Sequence, residues 1–291
     1  MTTPAQPIHP PLNKEATLRL IRLGLAEDFA HGPDATSQAA IDEDAVLTAQ
    51  VVPRQAGTVA GLDVVGWTMH EISPAVDVSV HAADGDQVTS GDCLATVSGP
   101  ARVILSAERT ALNLLTYASG IATATSAWTE VISDTRARVR DSRKTLPGYR
   151  DLAKYAVRCG GGVNHRMSLG DAVLIKDNHV ASVGSAAGAY RRAAKTFPDL
   201  PIEVEVDDLA QLTEVLALKP NLVMLDNFGV EETRVAVARR DALSPATLLE
   251  SSGGLSLNRA RAYADTGVDF LAVGALTHSV TILDIGLDAL P

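Results

Sequence analysis

Hydrophobic and polar positions change their rhythm once along the chain. Residues 14–28 (KEATLRLIRLGLAED) carry apolar side chains at helical spacing, and a His-Gly-Pro-Asp turn follows at 31–34. The run AVLTAQVV at 45–52 has strand character, an Arg-Gln-Ala-Gly turn comes next, and GLDVVGWTMHEI at 61–72 returns to a helical period. Between 76 and 99, short strand-like stretches are joined by Asp84-Gly85-Asp86 and Ser90-Gly91-Asp92 turns. A long helix-like stretch, ARVILSAERTALNLLTYASGIATATSAWTEVI, then begins at Ala101.

The second half has a regular beat. Strand-like runs fall at 136–141, 172–176, 202–206, 222–226, 247–250 and 269–274, with helical segments such as RDLAKYAVRC, GSAAGAYRRAAKTF, DLAQLTEVLAL and LNRARAYADTG between them. Strand and helix alternating at about 20–35 residues per unit predict parallel pairing through right-handed crossovers. The result is an α/β fold whose β/α barrel has about six strands, fewer than a complete barrel. The turns at 76–99 are similar to those of biotinyl and lipoyl carrier domains, but a carrier needs a lysine at a hairpin tip and this stretch has none.

Composition narrows the classes. The length of 291 residues suits about two domains, or one barrel with an appendage. With 46% hydrophobic and 21% charged residues, the chain is neither disordered nor collagen-like nor a coiled coil. Cys93 and Cys159 lie far apart with no CxxC partner, which predicts neither a disulfide framework nor a zinc site and points to a reducing cytoplasm. The Pro-rich start has no basic stretch followed by an apolar one, so it is not a signal peptide, and it has no evident role. The uncharged run Thr110–Thr129 is studded with Thr, Ser, Asn and Gly, which predicts a buried helix and no membrane span.

Charge is unevenly placed. The formal net charge of −10 disfavours nucleic acid and anionic membranes as partners. Yet residues 134–176 hold ten Lys or Arg against four Asp, and this block contains Lys144, Lys154 and Lys176 in a chain with few lysines. Either a small anionic ligand or a solvated basic face accounts for it.

Functional groups of a β/α barrel cluster where strands end. Here those ends carry Asp141-Ser142-Arg143-Lys144, Lys176-Asp177-Asn178-His179, Glu205 with Asp207, Asp226-Asn227, Glu250-Ser251-Ser252-Gly253-Gly254, and Gly274-Ala275. Asp207-Asp208 suits a helix cap. Arg143, Lys144, Arg166 and Lys176, with His165, offer forks and point charges for carboxylates or phosphates. Glu205 and Asp226 are hard oxygen ligands suited to Mg²⁺ bound largely through substrate phosphates; pairing with the lysines is the alternative, and their places on adjacent strand ends favour the metal. The glycines after the last two strands suit close backbone approach to a phosphate, although any one of them could be a turn. The loop Gly160–Arg166 is expected to deliver His165 and Arg166 to the mouth. No GxSxG or HExxH motif occurs, so catalysis by position and electrostatics is expected, with no covalent intermediate.

These residues also carry a family resemblance. Glu108-Arg109-Thr110-Ala111-Leu112-Asn113, the block DSRKTLPGYRDLAKYAVRCGGGVNHRMSLGDAVLIKDNH (141–179), EVEVD (203–207), MLDN (224–227) and ESSGGL (250–255) closely resemble the quinolinate phosphoribosyltransferase family. The resemblance implies a flexible lead-in (1–14), an N-terminal α/β sandwich domain (15–120), an open, incomplete β/α barrel (121–280) and a C-terminal tail (281–291) packing back on the first domain. It implies a cytoplasmic homodimer or higher assembly that makes nicotinate mononucleotide, pyrophosphate and CO2 from quinolinate and phosphoribosyl pyrophosphate with Mg²⁺. Arg109, supplied across the dimer interface, and Arg143, Lys144, His165, Arg166 and Lys176 would hold the anions. Glu205 and Asp226 would hold the metal and the ribose hydroxyls, and Ser252, Gly253 and Gly274 the 5′-phosphate. Lys144, Lys176, Glu205 and Asp226 would be catalytic. Ser142 stands where the family usually has Thr, and its hydroxyl is kept. A related enzyme acting on nicotinate without decarboxylation is the alternative; the crowd of cations favours the diacid.

Overall fold

The computed structural model describes residues 10–291. Of the expected lead-in, residues 1–9 lie outside the described residues, and the end of it is no loose tail. Leu12 is buried, and the Asn13 side chain accepts the backbone N–H of Ala16 to cap the first helix. The chain divides into two units: one gathers the residues up to Ser126 with Thr145–Gly161 and Leu276–Pro291, the other Ala127–Lys144 with Gly162–Ala275.

The first unit holds α1 (Lys14–Asp28), α2 (Ala35–Ala40), β1 (Val46–Pro53), β2 (Gly57–Thr58), α3 (Asp63–Ile72), β3 (Asp77–Val80), β4 (Gln87–Val88) and β5 (Ala95–Pro100). The long helix α4 (Ala101–Val131) follows. The sheet is antiparallel in the order β12-β1-β5-β3, and its β12 (Ile285–Ala289) comes from the C-terminal tail, Val51 facing Leu287. Val51, Val97, Met69, Ile104 and Leu115 share one core there. Thr, Ser, Ala and Gly recur along α4 because the helix is crowded: a Cβ on Gly120 would come within 2.4 Å of the Thr281 carbonyl oxygen. The helix α5 (Arg150–Cys159) buries Leu152, Ala153, Ala156 and Val157 in a second core with Ile21 and Ile121. The sequence placed α5 among the barrel crossovers; it groups with the first unit.

The second unit is a parallel sheet of six strands with its helices. It contains β6 (Arg138–Arg140), β7 (Val173–Ile175), α6 (Asp177–Val183), α7 (Ala186–Thr196), β8 (Ile202–Val206), α8 (Leu209–Leu216), β9 (Leu222–Asp226), α9 (Val230–Leu243), β10 (Leu248–Ser252), α10 (Leu257–Ala264) and β11 (Phe270–Ala272). The order is β6-β11-β10-β9-β8-β7. First and last strands pair, as in a barrel, but β6 and β7 remain edges, so the barrel is open between its first two strands. Val163 makes a parallel bridge with Arg140 at that edge. Both faces of the sheet are covered, so all of β8 is buried, its two glutamates included. At the N-terminal ends of the strands, Asp269 accepts from Arg240 at 2.8 Å, from the Leu249 backbone at 2.8 Å and from Arg136, a cluster that ties helix α9 to the sheet. Asp208 caps α8 by accepting the N–H groups of Ala210 and Gln211, as its position suggested.

Candidate active site

The C-terminal ends of the parallel strands assemble a mouth of mixed charge. Glu205 on β8 accepts from Lys176 Nζ at 2.7 Å, and Lys176 lies between β7 and α6. The short helix α6 was not anticipated; the Lys176 backbone N–H donates to His179 Nδ1 at 2.9 Å, so that part of the strand-end motif starts a helix. Asp226 ends β9. Burial and the Glu205 charge push its carboxyl above the ordinary range, while Lys176 and Lys144 pull it back. Lys144 therefore senses the Asp226 carboxylate from the segment after β6. Arg143, its neighbour in sequence, has a buried Nε with no hydrogen-bond partner, and so has Arg166. Burial, and then repulsion from Arg143, lowers the Arg166 guanidinium below its usual value. One Arg166 nitrogen donates to the Ala172 carbonyl at 3.0 Å. Asp171 holds that loop by accepting the N–H groups of Met167 and Ser168.

The glycines divide in role. Gly253 has φ +91°, and a Cβ there would come within 2.2 Å of Asn227 Oδ1, so its bareness is required by the neighbouring loop. Asn227, itself at φ 58°, donates its N–H to the Ser252 carbonyl at 2.9 Å. Gly254 has φ +57° and open space where a side chain would stand. Ser252 ends β10, and Gly274 opens a short 3-10 helix just after the adjacent β11.

Below the mouth lies a second charged group that sequence reasoning described wrongly. β10 continues to Ser252, so Glu250 is inside the strand and fully buried, away from the strand end where it was expected. Arg140 donates to Glu250 Oε2 at 2.8 Å and stacks over Phe270. His165 is buried as well, with Nε2 2.7 Å from Glu203 Oε2. Its backbone N–H donates to Asp141 Oδ1 at 2.7 Å, and Asn164 Nδ2 donates to the other Asp141 oxygen at 2.5 Å. The expectation that His165 reaches the open mouth is thus corrected: the same loop that presents Arg166 turns His165 inward. Glu203 was missed as a functional candidate. Its signal was available, because Glu203 and Glu205 are two apart on a strand and must share a face. Ligand atoms of His165, Glu203 and Glu250 lie within 4.8 Å of one another. The Arg140 guanidinium already supplies a cation to that cluster, so charge balance there does not call for a metal.

The basic block of residues 134–176 is dispersed by folding. Lys154 is buried in α5 of the first unit, Arg136 pairs with Asp269 at the far end of the sheet, and Arg140 is interior. Arg143, Lys144, Arg166 and Lys176 remain for the mouth. Arg109 lies on α4 in the first unit, exposed, with Glu108 at 3.9 Å. Cys93 and Cys159 are free, and among the described residues no helix is long and apolar enough to cross a membrane.

Comparison with known proteins agrees with this geometry. Residues 34–119 match the family described as quinolinate phosphoribosyl transferase, N-terminal domain, and residues 121–288 its C-terminal domain. The chain is 55% identical to a nicotinate-nucleotide pyrophosphorylase [carboxylating] of Mycobacterium leprae, over 94% of this chain and 97% of that one. It is 38% identical to a probable enzyme of the same name from Bacillus subtilis, over 93% and 92% of the two chains. The solved nicotinate-nucleotide pyrophosphorylase of Francisella tularensis superposes with a TM-score of 0.91 at 38% identity, covering 96% of this chain and 98% of that one.

Proposed function

The chain belongs to the quinolinate phosphoribosyltransferase family, and on that premise we infer that it transfers the phosphoribosyl group of phosphoribosyl pyrophosphate to quinolinate with loss of CO2. The products are nicotinate mononucleotide and pyrophosphate, a step of NAD biosynthesis. The observation that carries this reading is the pair Arg143 and Arg166. Two guanidiniums with buried, unpartnered Nε groups, repelling each other, are costly until an anion joins them. A planar diacid, with carboxylates on adjacent ring carbons, gives each fork a partner.

In this reading Arg143, Arg166 and Lys176 orient the ring and hold its carboxylates, His165 belongs to the same wall, and Arg109 is contributed by a second copy of the chain in a homodimer or higher assembly. Ser252, Gly253 and Gly274 hold the 5′-phosphate; the open side of Gly254 and the neighbouring ends of β10 and β11 support this. Glu205 and Asp226 fit a magnesium ion: they are hard oxygen donors on adjacent strand ends, and burial and then the Glu205 charge, which together raise the Asp226 carboxyl, are offset by a divalent cation. When bound, the ion adds positive charge beside the pyrophosphate. The same carboxylates accept from the ribose hydroxyls.

The protein chemistry is then modest. The pyridine nitrogen has its own lone pair, so no general base is needed. Lys144 and Lys176 stabilise the departing pyrophosphate as the ribose C1′ gains oxocarbenium character. Once ribosylated, the ring is a pyridinium; its positive charge stabilises the electron pair left on the ring carbon by loss of CO2, and a proton from water then takes the place of the lost carboxylate to give nicotinate mononucleotide. Residues that hold the retained carboxylate keep the ring in place during that loss. A cytoplasmic setting belongs to the same reading, supported by the unbridged Cys93 and Cys159.

Incubation with quinolinate, phosphoribosyl pyrophosphate and Mg²⁺ tests the proposal, with nicotinate mononucleotide and CO2 measured together. Equal amounts of both, abolished by EDTA and by Lys144→Ala, are expected. Nucleotide formed only from nicotinate would transfer the chain to the non-decarboxylating alternative.

A further inference from the structure

Asn227 is one of two residues other than glycine with a positive φ among the described residues, at 58°. Glycine, asparagine and aspartate are the types that take this left-handed conformation most readily. Of the three, only asparagine carries a hydrogen-bond donor on its side chain. The donor is used: Nδ2 donates to Asp226 Oδ2 at 2.7 Å. An ionised carboxylate only accepts, so the amide nitrogen faces Asp226 and the amide oxygen faces away from it. On that side Oδ1 and Cγ occupy the space where a side chain on Gly253 would begin. The Asn227 backbone N–H donates to the Ser252 carbonyl at 2.9 Å, and the carbonyl of the next residue, Phe228, accepts from the buried Tyr263 hydroxyl at 3.0 Å. One residue thus joins the carboxylate that ends β9 to the turn that leaves β10, and helix α10 steadies the joint from below.

The two mouth carboxylates are then alike. Glu205 gives Oε2 to Lys176 at 2.7 Å and Asp226 gives Oδ2 to Asn227, which leaves Oε1 and Oδ1 as the oxygens each can offer a ligand. We propose that Asn227 is a positioning residue for the phosphoribosyl group. It fixes which Asp226 oxygen faces the ligand, and it sets the spacing between that carboxylate and the turn at Ser252 and Gly253. The proposal rests on the reading of Asp226 as a ribose contact and of that turn as the 5′-phosphate contact. A ribose 5-phosphate unit has a fixed length between its hydroxyls and its phosphate, so two sites that must grip it together gain from being held at one distance. Asn227 supplies that distance without touching the ligand.

Two variants separate positioning from packing. Asn227→Gly keeps the left-handed turn and removes the amide. Asn227→Asp keeps the turn and the side-chain volume, and places an acceptor where the donor faced Asp226. Asn227 is exposed, so both variants should fold and unfold like wild type. Binding of ribose 5-phosphate without metal, and separately of quinolinate, is measured by calorimetry on the full-length protein. Both variants are expected to weaken ribose 5-phosphate about tenfold, the scale of a lost hydrogen bond to a charged group, while quinolinate stays within about twofold of wild type. In steady-state kinetics, KM for phosphoribosyl pyrophosphate should rise by a similar factor and KM for quinolinate should not. If Asn227→Asp binds ribose 5-phosphate as wild type does, the amide donor has no part and the proposal is wrong. Equal weakening of both ligands would also overturn it, because a general loosening of the strand ends would then suffice. Hydrogen exchange of the unliganded protein gives a readout that needs no substrate. Asn227→Asp should speed exchange of the backbone amides of residues 253 and 254 severalfold, and unchanged exchange would overturn the coupling of the two turns. If exchange quickens as expected but the wild-type protein binds no ribose 5-phosphate, the coupling stands and the functional reading falls.

Discussion

Glu203 and Glu205 are the same residue type on the same strand, with their side chains on the same face, about 7 Å apart along β8. Their circumstances are opposite. Glu205 meets a lysine whose side chain is 45% exposed, beside Asp226, whose carboxyl in turn lies within the field of Lys144. Glu203 lies in a layer closed by Glu250, Arg140 and His165. Charges at the mouth have partners that water or a ligand can replace, so their attraction is available for binding and catalysis. Charges in the layer below have already given up their hydration and are bound to one another, so their attraction goes into geometry. Depth along the strand, and not residue type, separates the two roles.

This contrast can be broken experimentally. The largest effect is expected from Arg140→Met. It removes the guanidinium that donates to Glu250, and chemical denaturation at a pH above the Glu250 titration, where that carboxylate is ionised, should record a loss of about 3–5 kcal/mol. A loss below about 1 kcal/mol would mean that the buried layer is not bound together as described. Next comes the mouth: Arg166→Ala should lower kcat/KM for quinolinate by about 10²–10³-fold, with thermal stability almost unchanged because that guanidinium is poorly satisfied without a ligand. A comparable loss of stability would erase the distinction between the regions.

A smaller effect separates the layers by pH. Burial, and then the charge of Glu203, raises the Glu250 carboxyl to about 8. The unfolded chain releases that proton near the ordinary value of about 4.3. Between those values the folded chain binds more protons, so stability falls as pH rises, at up to about 1.4 kcal/mol per pH unit for one proton. Glu250→Gln mimics the protonated acid and keeps an acceptor for Arg140. Unfolding curves from pH 5 to 8 should therefore be flatter in this variant than in wild type; parallel curves would show that Glu250 is ionised in the folded chain. The smallest effect is reserved for the surface, where Arg261→Ala, removing exposed pairs with Asp134 and Asp265, should change stability by less than about 0.5 kcal/mol. A larger shift would show that exposed pairs also hold the sheet together.

Much of this was legible in the chain. The alternation of strand-like and helical runs after residue 136 predicted six parallel strands, because each period reports which faces are covered. Lys144, Lys176, Glu205 and Asp226 could be named because strand ends are where a barrel exposes chemistry. Other positions misled for identifiable reasons. Glu250 looked like a strand-end group because polar Ser251 and Ser252 seemed to close a strand that in fact includes them. His165 shares a glycine-rich loop with Arg166, and no local pattern states that successive side chains turn to opposite sides. The ten cations of the basic block were counted together, although they scatter between an interior pair, a helix of the first unit, the far end of the sheet and the mouth.

What the sequence determined by itself was periodicity, the order of the elements and the stock of functional groups near each strand end, since these depend on neighbours a few residues away. Tertiary structure alone decided depth: which carboxylate meets an arginine in the interior and which meets a lysine at the rim, and where the barrel stays open. Pairings such as Arg140 with Glu250 or Glu203 with His165 join residues far apart in the chain, and their energy depends on how completely water is excluded around them. No local pattern records that exclusion, and only the packed sheet creates it.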